Sequence, residues 1–222
     1  MQQDRSAPAG VSRRGRPRSF DLDVVTAAAL RTLWTKGYET TSIEDLVQAT
    51  GLAPSSLYAA FGSKQGVLEA ALARYDRDRE DLLAPLERGS GGLDDLRRFL
   101  SSIRHSLTQS DGPGCFMVNT ATEVAPRDDR IAERANRYRE RVRDGIAAAL
   151  GRAAARGELA LQDAEDITGR ARLLQAAVYG VQVAARGGAT EEALATVDAL
   201  RRQVEQWAGE AVQLRDRQPE DR

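Results

Sequence analysis

The sequence has little cysteine, histidine or aromatic side chain, and these shortages exclude several classes of protein. Its 222 residues include one cysteine, Cys115, and one histidine, His105. A single cysteine cannot form a disulfide within the chain, and one histidine with one cysteine cannot build a typical structural metal site. We therefore expect no metal ion and no cofactor.

Long hydrophobic runs are also missing. No run reaches the roughly 18 residues that a membrane-spanning helix requires, and no apolar signal segment follows the polar N-terminus. These absences predict a protein of the bacterial cytoplasm with no membrane partner. The sequence also contains no Ser-His-Asp set, no metal-ligand cluster and no phosphate-binding loop, so a helical enzyme is a distant alternative.

Helix-forming residues dominate the composition. Alanine, leucine, arginine and glutamate are abundant, aromatics make up 5%, and long alternations of β-branched residues are absent. The fold class is therefore predicted to be all-α. Apolar spacing and turn residues divide the chain into about nine helices, and Pro85 with the following RGSGG segment (88–92) is the clearest predicted break.

The net charge of −1 conceals a basic N-terminal segment. Residues 1–19 contain Arg14, Arg16 and Arg18 among glycine, proline and serine, with almost no apolar side chains to bury. We interpret them as a flexible basic arm. Two roles stay open for this arm, contact with the minor groove or phosphates of DNA and a solvated tail.

Two short helices form the most informative motif, within the stretch TTSIEDLVQATGLAPSSLYAAFGSK (40–64). Ser42 with Asp45 is a partial capping box, Gly51 ends the first helix, and Pro54 starts the second. Ile43, Leu46 and Leu57 are placed to hold the pair onto the preceding helix. The outer residues of the second helix are left unneeded for the core, which predicts a helix-turn-helix that enters a DNA groove.

Residues 24–70 resemble the tetracycline-repressor (TetR) family of regulators, chiefly through Gly37-Tyr38 before Thr40-Thr41 and through LYAAFGSK. The resemblance implies an N-terminal DNA-binding domain over 20–65 and a helical ligand-binding and dimerisation domain over 66–214, before a frayed tail at 215–222. It also implies a repressor that is released from a palindromic double-stranded operator by a small molecule. By position in the family pattern, phosphate contacts are implied for Thr41, Tyr58 and Lys64, and base contacts for Ser55 and Ser56.

The effector is expected to be small and largely hydrophobic or aromatic, in a cavity formed by the C-terminal domain. The polar groups expected there are His105, Asn119, Glu123 and Tyr138. The other expected lining residues are Phe99, Ile103, Cys115, Phe116 and Tyr179. An alternative keeps the same fold but makes Cys115 the input, because a thiol at a helix N-terminus can be activated towards oxidants or electrophiles.

Apolar stripes on the last two helices predict a homodimer that buries a four-helix bundle between subunits. The first stripe consists of Ala171, Leu174, Val178 and Val181. The second consists of Leu194, Val197, Leu200, Val204 and Trp207.

Overall fold

The computed structural model describes residues 20–109, 113–160 and 164–216, with side chains described as far as residue 211. Within these ranges the chain forms α helices and one short 3-10 turn, and no strand. The helices are α1 Leu22–Lys36, α2 Ile43–Thr50, α3 Pro54–Phe61, α4 Lys64–Asp78, α5 Glu80–Arg88, α6 Leu93–Gln109, α7 Phe116–Glu123, α8 Asp129–Ala155, α9 Ala164–Arg186 and α10 Thr190–Asp216. The all-α prediction is confirmed, and the basic arm at 1–19 lies outside the described residues.

The described residues form one helix more than the nine expected, because the segment KQGVLEAALARYDRDREDLL (64–83), whose helix-forming residues predict a single helix, divides at Arg79. That residue ends α4 and begins α5 with φ −97° and ψ −1°. The predicted break is confirmed in the RGSGG segment, since α5 ends at Arg88 and α6 begins at Leu93, but Pro85 itself lies inside α5. A proline removes one helical N–H donor. Here Arg152 stabilises the same turn by donating to the carbonyls of Pro85 at 3.0 Å and Leu86 at 2.8 Å.

The first four helices pack around one apolar centre. Helix α1 lies against α2 and α4, while α3 contacts α2 and α4. Leu33, Leu46, Leu57 and Leu68 are almost completely buried there. Helices of eight residues are marginal alone. Burial of a leucine contributes about 1.5–3 kcal/mol, so α2 and α3 depend on this packing.

The remaining helices form a larger body around the long helix α8. Helix α8 packs against α5, α6, α7 and α9, and α10 packs across α9 and α6. On the outside, Arg97 pairs with Glu205 at 2.7 Å and Arg104 with Asp198 at 2.9 Å, which joins α6 to α10. Among the described helices, none combines the length and apolar character needed to cross a bilayer.

Candidate functional site

The turn between α2 and α3 has the geometry of a helix-turn-helix. Ser42 accepts from the N–H of Asp45 at 3.0 Å, and Asp45 accepts from the N–H of Ser42 at 2.9 Å, which completes the predicted capping box. Gly51 then adopts a left-handed conformation with φ 68°, which a residue without Cβ takes at little cost. The chain reverses there, and Pro54 opens α3 in the next turn.

Helix α3 turns its polar side outward. Ser55, Tyr58 and Ala59 are exposed and Ser56 is half-buried, while Leu57 between them faces the core. Tyr58 is 47% exposed, so the core does not cover its ring and its hydroxyl is accessible from outside. No side chain caps the start of α3 at Ala53. Short polar side chains on an exposed helix suit the edges of bases in a major groove.

Lys64 lies at the start of α4 beside this surface. Its Nζ is 3.4 Å from the carbonyl oxygen of Glu39 and 4.5 Å from the centre of the Tyr38 ring. Ser63 caps the helix by accepting from Gly66 N–H at 3.0 Å. A helix N-terminus and a lysine together favour an anion, so the phosphate contact predicted for Lys64 stays a prediction with suitable geometry.

Thr41 does not fit its expected role. Its side chain is 1% exposed and its hydroxyl donates to the carbonyl oxygen of Gly37 at 2.5 Å. The hydroxyl hydrogen is therefore used inside the protein, and in this conformation the side chain does not reach a phosphate. Of the other predicted DNA contacts, Arg14, Arg16 and Arg18 lie outside the described residues.

A cavity of about 100 Å³ lies beneath α6, between α4, α7, α8 and α9. Five of the residues expected from the sequence line it, namely Phe99, Ile103, Cys115, Tyr138 and Tyr179. Burial raises the pKa of the Tyr138 phenol well above its usual value, and burial likewise raises the pKa of Tyr179. These phenols are neutral hydrogen-bonding groups in an otherwise largely apolar wall.

Four expected lining residues are elsewhere, and the predictions for them are wrong. His105 is exposed, because two positions along a helix from Ile103 place it on the opposite side of α6. Phe116 packs behind the wall, 5.8 Å from the ring of Tyr75. Asn119 donates to the carbonyl oxygen of Pro113 at 2.6 Å, outside the lining.

The fourth, Glu123, acts between the two parts of the chain. Its carboxylate accepts from the backbone N–H of Tyr38 at 3.0 Å and of Glu39 at 2.8 Å. It therefore anchors the segment between α1 and α2 to the end of α7. A charged acceptor engaged by two backbone donors is not available to a ligand in the cavity.

Several lining residues were missed by sequence reasoning, including Trp34, Tyr75, Arg79, Ser102, Ser106 and Gln182. The serines could have been found, because Ser102 and Ser106 each follow an expected lining residue, Phe99 and Ile103, by three positions on α6. Trp34 could not, since it belongs to the first helix of the DNA-binding motif. Its ring meets Tyr75 edge-on, with centroids 5.3 Å apart.

The wall around Cys115 is held by hydrogen bonds. The Tyr75 hydroxyl lies 3.1 Å from Cys115 Sγ, and Trp34 Nε1 donates to the carbonyl oxygens of Pro113 and Gly114, each at 3.2 Å. Gly114 has φ 68°, and a Cβ there would approach the carbonyl oxygen of Gln182 to 2.5 Å. Only glycine fits at this contact between α7 and α9.

The predicted dimer stripes are mostly part of the subunit's own core. Seven of the nine residues are buried within the single chain, so they are not available to a second subunit. These are Ala171, Leu174, Val178, Val181, Val197, Val204 and Trp207. Leu194 and Leu200 are half-buried against the same core. The apolar spacing predicted from the sequence is present on both helices, but it marks the faces of α9 and α10 that pack into the core of the subunit.

The opposite face of α9 carries the exposed apolar surface. Leu173 is 60% exposed and Val183 is 54% exposed. Ala176 and Gly180 lie between them and are also exposed. Their spacing of three and four residues forms one apolar stripe along the helix.

An exposed recognition helix on a helical body that contains a ligand-sized cavity defines a DNA-binding transcriptional regulator. A family model described as bacterial regulatory proteins, tetR family, matches residues 25–71. A second model, tetracyclin repressor-like C-terminal domain, matches residues 92–198. The chain belongs to the tetR family of bacterial regulatory proteins.

Individual relatives agree with this assignment. The HTH-type transcriptional repressor ComR of Escherichia coli (strain K12) is 35% identical over 184 residues, which is 82% of this chain and 87% of ComR. The uncharacterized HTH-type transcriptional regulator YezE of Bacillus subtilis (strain 168) is 28% identical over 162 residues, 72% of this chain and 83% of YezE. A cysteine mutant of the TetR family regulator CifR, complexed with 26-base-pair operator DNA, has a TM-score of 0.73 and 28% identity. That comparison covers 87% of this chain and all of the CifR chain.

Proposed function

We propose that this chain is a homodimeric cytoplasmic repressor that binds a palindromic operator through α3 and is released by a small molecule in the cavity. In this proposal residues 20–65 are the DNA-binding domain and residues 66–214 the effector and dimer domain. ComR is named as a repressor, and the CifR structure contains operator DNA. These relatives support repression as the mode of action.

The position of Trp34 is the observation that supports release of DNA by a ligand. This residue belongs to α1, onto which α2 packs, yet its ring lines the cavity. Arg186 on α9 donates to the carbonyls of Trp34 and Thr35, both at 2.9 Å, so the end of α1 is held by the effector domain. A ligand that displaces the indole also displaces α1, against which α2 of the helix-turn-helix packs. The ligand then favours a conformation that binds DNA less tightly.

Dimer formation is proposed through the exposed stripe on α9, with the outer face of α10 beside it. One helix-turn-helix contacts few base pairs, whereas a two-fold dimer contacts two half-sites at a fixed spacing. Leu173 and Val183 would be covered by the partner, and Gly180 between them permits close approach of two helices. Small residues flanked by apolar ones suit a tightly packed helical interface.

Fluorescence anisotropy with the intergenic DNA upstream of the gene tests this function. The wild-type protein should bind one fragment tightly, with an affinity that falls as salt rises. Trp34→Phe should keep most of that affinity but alter the effector concentration needed for release, because a smaller aromatic ring replaces the indole and the N–H bonds to Pro113 and Gly114 are lost. Trp207→Phe is the matched control, since Trp207 does not line the cavity. Equal release curves for all three proteins would contradict the coupling role of Trp34.

A second candidate input is the thiol of Cys115. Its side chain lines the cavity, so an electrophile that enters would meet Sγ next to the Tyr75 hydroxyl. Under this candidate Cys115→Ser abolishes release and only reactive compounds cause it. Under the reversible-ligand proposal the same variant is still released by a non-reactive molecule, and its affinity for DNA is unchanged.

A further inference from the structure

Arg79 is a cation in the cavity wall whose charge has no counterion among the described residues. Its guanidinium carbon lies 4.9 Å from the centre of the Tyr75 ring and 5.6 Å from the centre of the Trp34 ring. The side chain lines the cavity, and its Nε is buried without a hydrogen-bond partner. The arginine therefore faces the same space as the aromatic wall.

Comparison with other arginines shows that Arg79 is unusual. Four arginines in the described part of the chain have a buried nitrogen without a partner. Arg134 pairs with Asp76 at 2.5 Å, Arg152 pairs with Asp95 at 3.1 Å, and Arg170 pairs with Asp166 at 2.9 Å. The ion pairs found between described residues include none for Arg79.

The neighbouring phenols do not supply the missing negative charge. Burial raises the pKa of Tyr75 well above its usual value, with Cys115 adding to the effect, and burial does the same for Tyr138. Both phenols are therefore protonated at neutral pH. The ring faces of Trp34 and Tyr75 attract the cation, but they do not accept the in-plane N–H groups of a guanidinium.

A carboxylate is the group that best satisfies a guanidinium. Its two oxygens accept parallel hydrogen bonds from the planar fork, and burial strengthens such a pair relative to water. A partly buried cation without a counterion is costly, so a site that holds one is suited to an ion of opposite sign. The apolar remainder of the wall, including Phe99, Ile103 and Val142, suits a hydrocarbon or aromatic body.

We propose that the cavity takes a small organic acid, with its carboxylate on Arg79 and an apolar body of about one ring or a short chain against α6. This inference rests on the proposed function, since it names the chemical class of that effector. The volume of about 100 Å³ sets an upper limit on the size, because a closed cavity of about 150 Å³ holds benzene and the body can therefore be no larger than one ring. Ser102, Ser106 and Gln182 provide further polar contacts in the lining.

Calorimetric titration of the full chain with matched acids and amides tests the class of ligand. The probes are benzoate with benzamide, phenylacetate with phenylacetamide, hexanoate with hexanamide, and inorganic phosphate alone. At least one acid should bind about 10-fold or more tightly than its amide, since a hydrogen bond to a charged group is worth more than one to a neutral group. Phosphate should bind more weakly than that acid, because it has no apolar body.

Variants then locate the carboxylate. Arg79→Gln should remove the preference for the acid and leave amide binding within about twofold, while Arg79→Lys should keep part of it as a point charge. Arg77→Gln is the matched control, because it removes a charge from the same helix at a side chain that is 63% exposed. Circular dichroism checks that each variant is folded, and the acid–amide comparison in the wild-type protein needs no variant at all.

The outcomes separate this inference from the proposed function. If no acid binds, if every amide binds as tightly as its acid, or if Arg79→Gln keeps the preference, the organic-acid assignment is wrong. DNA release by a neutral compound would then leave the repressor proposal standing. If an acid binds through Arg79 but does not release DNA, the ligand class is supported and the release step is wrong.

Discussion

The carboxylate of Glu123 and the backbone of Tyr38 are joined across 85 positions of the chain by a hydrogen bond of 3.0 Å. Helix α7 starts beside Cys115 in the cavity wall and ends at Glu123, so this bond connects the wall to the segment that enters α2. Gly37 has φ 90°, and a Cβ there would stand 3.1 Å from the Glu123 carboxylate. The glycine leaves room for the carboxylate to reach both N–H groups.

Glu123→Ala should destabilise the connection between the two parts of the chain. Two backbone donors lose a charged acceptor, which predicts a fall of about 1–3 kcal/mol in the free energy of unfolding. Urea denaturation measures that change, and DNA titration should show weaker operator binding. Glu140→Ala, at an exposed position on α8, is the control. If both variants lost the same amount of stability, the Glu123 contact would have no specific role.

Lys64→Ala and Tyr58→Phe should weaken binding to all DNA sequences by similar factors. Each phosphate contact by a cation adds about one unit to the slope of log affinity against log salt, so Lys64→Ala should reduce that slope and Tyr58→Phe should leave it nearly unchanged. Arg137→Ala is the control, because it removes an exposed cation from α8. An unchanged salt slope in Lys64→Ala would show that this lysine does not contact a phosphate.

Ser56→Ala and Ser55→Ala should change sequence preference instead. Their hydroxyls lie near the start of α3, where a recognition helix meets base edges, so the loss of one contact should cost about 1–3 kcal/mol at particular base pairs. Binding to a library of single-base operator variants measures this profile. A uniform loss over every position would assign the serines to the backbone of the DNA.

Leu173→Glu combined with Val183→Glu should yield a folded monomer. Both side chains are exposed in the single chain, so the substitutions do not disturb its core, but two subunits would place like charges against each other. Sedimentation velocity measures the oligomeric state. Val24→Glu, at an exposed apolar position of α1, is the control and should stay dimeric. A dimer in the double variant would place the interface on another surface.

The DNA-binding half was largely predictable because its signals are local. Ser42, Asp45, Gly51 and Pro54 each set a helix end through interactions within a few positions of the chain. The structure has the helix boundaries that these residues predict. Thr41 is the exception, since its burial depends on how the end of α1 meets α2.

The cavity was predictable only in part. Phe99 and Ile103 share one face of α6, and that periodicity is visible in the sequence. Trp34, Tyr75 and Arg79 come from helices that precede α6, and no periodicity shows that α1 and α4 meet α7 at this point. Their contribution depends on contacts between residues that are distant in the chain.

The sequence by itself determined the helical class, the helix-turn-helix and the family, because helix propensity, caps and turn glycines act locally. Tertiary structure decided which face of α9 is buried, since the same apolar period serves a subunit core or a dimer interface equally well. It also decided that Glu123 anchors the segment before α2 and that Arg79 reaches the cavity with no counterion among the described residues. Those facts depend on which helices pack together, and packing is a property of the whole chain.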